Sequence, residues 1–144
     1  MSLDEHTRQD IILYRIEKAY SAYNDAEFVA QSGHVHMAAN RLYYALYHAA
    51  SALLLADGIP THTHKGIMVQ LSFNYVKNEK LAKEEGKLFS KMFSLRQEAD
   101  YEDFIHITEE QISELIPQVK ALLDKLTALN PFADATYTST CLAT

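Results

Sequence analysis

Apolar positions along this chain recur at the three- and four-residue intervals of amphipathic helices. Ile12, Ile16, Ala19, Tyr23, Ala26 and Ala30 predict a first helix from about Asp4 to Ser32, with Gly33 placed to end it. A second segment, about Val35 to Asp57, is apolar on nearly every side, as the central helix of a bundle is, and Gly58-Ile59-Pro60 stops it. A third helix is expected from His64 to about Asn78. A fourth, from about Leu81 to Tyr101, turns Leu88, Phe89, Met92, Phe93 and Leu95 toward the core. The fifth has the clearest start: Thr108 and Gln111 form a capping box, and Ile107 with Ile112 forms the hydrophobic staple around it. Its periodicity runs to about Leu129, across Pro117, which is expected to bend it. The pattern predicts an all-α, up-and-down antiparallel bundle of about five helices, a single domain over 1–130, with 131–144 as a flexible tail.

The second segment departs from pure core character. At about 100° per residue, Asn40, Arg41, Tyr44, Tyr47, His48 and Ser51 share an arc of roughly 120°. Leu42, Ala45, Leu46, Ala49 and Leu53 occupy the other side. Each polar group buried without a partner would cost about 1–3 kcal/mol, so this stripe must meet polar groups, water or a second chain. Tyrosines in a small bundle commonly bury their rings and wet their hydroxyls. An arginine and a histidine on adjacent turns of the same stripe ask for a more specific explanation. A second concentration of chemistry is FSLRQEADYEDF, residues 93–104, where Arg96 and Asp100 stand four apart, with Tyr101 one step round the helix.

Composition narrows the class. With 144 residues, 48% of them hydrophobic, the chain can bury one sizeable core, and 4 glycines with 3 prolines are too few for many short strands. The lone Cys141 cannot form an internal disulfide, so a cytoplasmic location is expected. No apolar run is long enough to span a bilayer, and the N-terminal sequence is polar, not signal-like; the protein should be soluble. A formal charge of −6 argues against broad gripping of nucleic acid. Its distribution is uneven: residues 1–33 hold three basic and six acidic side chains, whereas 34–78 hold Arg41, Lys65 and Lys77 against Asp57 alone, together with five of the seven histidines. An anion-attracting surface is therefore expected around 34–78, helped by Arg96. Metal chemistry finds little support. Asp103-x-x-His106 is one imperfect copy of a di-iron motif, and His34-x-His36 and His62-x-His64 lack further ligands. No glycine loop of the phosphate-cradling type is present, and no cofactor is implied.

AANRLYYALYHAASALLL, then G-I-P-x-x-T-H-K-G, then LRQEADY, in that order across about residues 11–129, resemble the HEPN domain, and most closely its small stand-alone bacterial branch. The resemblance implies a helical bundle that often forms homodimers and is commonly encoded beside a minimal nucleotidyltransferase as a toxin and antitoxin pair. It further implies that some members are metal-independent ribonucleases whose motif is an arginine followed four to six residues later by a histidine. Here Arg96 takes the arginine's place, but Asp100, Tyr101 and Glu102 occupy the histidine's, and the next histidine is His106.

Two readings follow. In one, Arg41, Tyr44, His64, Lys65, Arg96 and Tyr101 bind a nucleotide, an RNA segment or a nucleotidyltransferase partner. In the other, a divergent dimeric ribonuclease uses Arg96 for charge stabilisation and His48 or Asp100 for proton transfer, His64 being the next candidate. A homodimer is expected in both, because the polar stripe and the LRQEADY face need covering.

Overall fold

The structure, a computed structural model, describes residues 4–99 and 107–133. Its helices are α1 (Glu5–Gln31), α2 (Val35–Ala56), α3 (His64–Leu71), α4 (Lys83–Ala99) and α5 (Glu109–Leu129), with one π-helical turn, Ser72–Val76, continuing α3. The described residues contain no strand, and the helices pack as the expected all-α bundle. Asp100, Tyr101 and His106, and the expected tail from residue 134 onward, lie outside the described residues.

α2 is the central helix, packed against α1, α3, α4 and α5. Its Leu42, Tyr43, Leu46 and Leu53 are fully buried. Alanines line much of the rest: Ala38, Ala45, Ala49 and Ala52 of α2 are buried, as are Ala19, Ala22 and Ala26 of α1. Such short side chains allow two helix backbones to approach closely.

The helix ends follow local chemistry. Both α1 and α2 finish in a Schellman motif with a left-handed glycine, Gly33 at φ 78° and Gly58 at φ 72°. His34 N donates to Val29 O and Gly33 N to Ala30 O; Ile59 N donates to Leu54 O and Gly58 N to Leu55 O. Arg8 reaches across from α1 and donates to the carbonyls of Leu55 and Ala56, meeting the negative end of the α2 dipole. The Thr108 capping box forms in full, and the staple residues Ile107 and Ile112 are buried. α5 runs through Pro117, which lies on its exposed side, where water can satisfy the Ser113 carbonyl that proline leaves without a donor.

The third segment departs from expectation. The α-helix ends at Leu71, and the chain widens into the π turn, closed by Lys77 N donating to Ser72 O. The extra residue in that turn lets Tyr75 point inward, buried, with its hydroxyl donating to the Asp57 carboxylate at the end of α2, while Phe73 points out. Leu81 stays buried but outside α4, which begins two residues later at Lys83.

Candidate functional site

The half-buried arc of α2 is the one its sequence predicts: Asn40, Arg41, Tyr44, Tyr47, His48 and Ser51 are all partly exposed, and the opposite side is closed. Tyr43 adds a feature that the helical wheel does not suggest. It belongs to the buried side, yet its hydroxyl lies 2.6 Å from Nδ1 of His64, the first residue of α3. Burial holds the Tyr43 hydroxyl well above its ordinary pKa, the nearby Arg96 charge acting in the opposite sense, so it stays protonated. His64 also stacks on Tyr47, with ring centroids 4.4 Å apart.

Arg96 enters from the last turn of α4. Its guanidinium carbon is 5.2 Å from the Tyr43 ring centroid, 5.7 Å from that of Tyr44 and 5.9 Å from that of Phe93. Arg41 approaches Tyr44 as well, at 5.2 Å, while its fork is held by Asn40 Oδ1 at 2.8 and 3.1 Å. Two guanidinium groups from different helices thus meet at one tyrosine ring, and His64 shares the Tyr43 wall with Arg96. Burial first, and then the Arg96 charge, lower the His64 pKa below its ordinary value, so its ring is neutral at pH 7. The tautomer decides what Nε2 offers beside the guanidinium: it is an acceptor when Nδ1 donates to the Tyr43 oxygen, and a donor when the Tyr43 hydroxyl donates to Nδ1.

His48 lies at the other end of the arc, next to Tyr44 and Tyr47. Its pKa is pushed down to about 4, by burial first and then by the charges of Lys18, Arg41 and Arg15. Arg15 donates to Ser51 Oγ at 2.9 Å, and Lys18 sits over the Tyr14 ring at 5.4 Å. Among the described residues, none of Arg15, Lys18 and Arg41 is within ion-pair distance of a carboxylate. The cationic surface therefore extends beyond residues 34–78 onto α1, a helix whose summed charge is negative.

Of the residues singled out in the sequence, Arg41, Tyr44, His64 and Arg96 come together, His48 groups with the α1 cations, and Lys65 is exposed on the first turn of α3. Tyr43, Arg15 and Lys18 are additions from the structure. The signal for the α1 pair was present as basic residues at i and i+3, on the flank of the Ile12–Ile16–Ala19 stripe.

A profile of the HEPN domain matches residues 12–129. A UPF0332 protein of Thermotoga maritima is 34% identical over 122 residues, covering 85% of this chain and 92% of that protein. A Methanocaldococcus jannaschii protein named as a candidate toxin is 28% identical over 110 residues, 76% of this chain and 75% of its own length. A UPF0332 protein of Archaeoglobus fulgidus is 27% identical over 116 residues, 81% and 92% of the two chains.

Proposed function

The chain belongs to the HEPN domain family, and we propose that within it this protein is a toxin-type binding module whose half-buried Tyr44 face holds a nucleotide or a short RNA segment. The observation that carries this reading is the approach of both Arg41 and Arg96 to the single Tyr44 ring. Guanidinium groups suit phosphate oxygens, and half-buried tyrosine rings suit the face of a base, so the pair recognises a nucleotide by its two halves. His64 and Lys65 extend the cationic side at the start of α3. Tyr101, outside the described residues, joins the binding set on its sequence position after Arg96. The pair with a nucleotidyltransferase and the homodimer belong to the same reading: the half-buried polar arc is a face that a second chain would cover. No helix among the described residues is long and apolar enough to cross a membrane.

The test is binding of fluorescein-labelled AMP and of a short polyuridylate to wild type, Arg41→Gln and Arg96→Gln, with circular dichroism confirming each fold. We expect each substitution to weaken binding about tenfold or more, and affinity to fall as salt is raised. Wild type that binds neither probe, or variants that bind as wild type does, would refute the reading.

A second reading, a metal-independent ribonuclease, draws on one observation: a neutral histidine, His64, shares a wall with Arg96. In that chemistry the histidine takes the ribose 2′-hydroxyl proton, the 2′-oxygen attacks phosphorus, and the 5′-oxygen leaves with a proton returned by the acid form. The product is a 2′,3′-cyclic phosphate, and Arg96 stabilises charge on the phosphoryl oxygens. Cleavage of RNA in EDTA, abolished by Arg96→Gln and by His64→Gln, would support it. Retention in His64→Gln with loss in His48→Gln or Asp100→Asn would move the base to those positions.

A further inference from the structure

Along α3 and the π turn that continues it, the fold presents a second surface, whose lining residues are not those around Tyr44. Val69 and Phe73 are each 61% exposed, one helical step apart, and Lys77 follows with its ammonium 5.1 Å from the Phe73 centroid. Beside this ridge runs a groove of about 360 Å³ between the π turn and α4. Met68, Leu71, Val76 and Phe89 supply its apolar lining, and Lys83 and Lys87 its charged lining. Ridge and groove adjoin through Ser72 and Val76, which line both. Gly86 sets how closely the two walls approach, because a Cβ there would come within 2.9 Å of the Val76 Cγ2.

Two properties select the occupant. The contact surface is mostly apolar, with aliphatic side chains and one exposed phenylalanine, which suits buried side chains better than phosphates. Every charged residue lining the ridge and the groove is a lysine, with no carboxylate among them, in a chain whose formal charge is −6. The row from Val69 to Lys77 measures roughly 12 Å, about two turns of a helix laid alongside. We propose that this ridge and groove dock an acidic amphipathic helix of a protein partner, its apolar side on Val69, Phe73 and the groove floor and its carboxylates against Lys77, Lys83 and Lys87.

The probe is a synthetic helix of about four turns, with leucines at i, i+3, i+4 and i+7 and glutamates elsewhere, set against a counterpart carrying lysine in place of glutamate. Amide shifts of the isotope-labelled full chain report the contact. The expected result is movement of the Val69, Phe73, Val76 and Gly86 amides with the acidic peptide only. Affinity should fall about tenfold in Phe73→Asp and in the double variant Lys83→Glu, Lys87→Glu. Both changes are at solvent-facing positions, so an unchanged melting curve accompanies them. An acidic peptide that leaves these amides unmoved at millimolar concentration overturns the proposal. So does equal binding of both peptides. Polyuridylate moving the same amides would assign the surface to nucleic acid instead, and a self-associated species dispersed by Phe73→Asp would assign it to a second copy of the chain; either outcome also overturns it.

Discussion

Acidifying the protein should weaken it through His48 in particular. In the fold this ring titrates at about 4, against an ordinary 6.5, because burial disfavours its charged form and Lys18, Arg41 and Arg15 add to that in decreasing order. A depressed folded pKa means that the unfolded chain binds more protons between the two values. The stability contributed by His48 is therefore fully present above pH 6.5 and is lost as pH falls from 6.5 through about 4. The full displacement corresponds to about 3 kcal/mol. Since the ring is only half-buried, solvent screening reduces that to about 1–2 kcal/mol. Lys18 makes the largest of the three charge contributions, so Lys18→Gln should move the midpoint up, and by more than Arg15→Gln does. Histidine ring resonances followed by NMR from pH 3.5 to 8 read the midpoint directly. Urea denaturation of wild type and His48→Gln at pH 7 and pH 4.5 reads the energy, the difference between the two proteins isolating His48 from the other titrating groups. A His48 midpoint near 6.5, or one that is unmoved by Lys18→Gln and by Arg41→Gln alike, would refute the assignment of His48 to a half-buried cationic cluster.

Three further outcomes are expected. Tyr43→Phe removes the hydroxyl that meets His64 Nδ1 and should cost about 1–2 kcal/mol in urea denaturation; it should also change the His64 midpoint, which a purely packing role for the ring would leave alone. Thr108→Ala removes the side chain that accepts from Gln111 N and should cost about 1 kcal/mol, readable as a shift in the thermal midpoint with unchanged helical circular dichroism below it. Leu53→Ala, at a fully buried position of α2, should cost about 2–5 kcal/mol by the same measurement, because the central helix has neighbours on several sides and little room to collapse around the cavity.

Much of the fold was legible because helix signals here are local. Gly33 and Gly58 end their helices in left-handed conformation, and Thr108 with Gln111 starts α5 with both reciprocal bonds in place. The third segment was harder. Its apolar spacing is compatible with one continuous helix, and the π turn goes with a hydrogen bond from Tyr75 to Asp57, eighteen residues earlier in the chain; a tertiary contact of that kind leaves no periodic trace. The site divided in the same way. A helical wheel finds the arc from Asn40 to Ser51, since it needs the geometry of one helix only. That Arg41 and Arg96 reach the same ring, that His64 reaches Tyr43, and that Arg15 and Lys18 lie against the arc all depend on how helices cross. Averaging charge over residues 1–33 hid the last pair, because six acids outnumber three bases there and a sum carries no facing.

The gathering of cations in a net-acidic chain is then a matter of helix register. Arg15 and Lys18 are at i and i+3 on α1, so both flank the side of the helix that packs on α2. Glu17, next to Lys18, is about 100° further round and exposed. The charges that dominate at His48 are accordingly all positive, although acids outnumber bases on the helix that supplies two of them. Arg41 joins them from α2 and is the common member of both groupings, near His48 on one side and over Tyr44 with Arg96 on the other. Arg15, Lys18 and Arg41, none of them within ion-pair distance of a carboxylate among the described residues, repel one another and so oppose folding, and the alanine-lined packing of α1 on α2 keeps them in place. An anion at the arc would relieve that repulsion, so its affinity would come from positions set by core packing, with little rearrangement needed on binding.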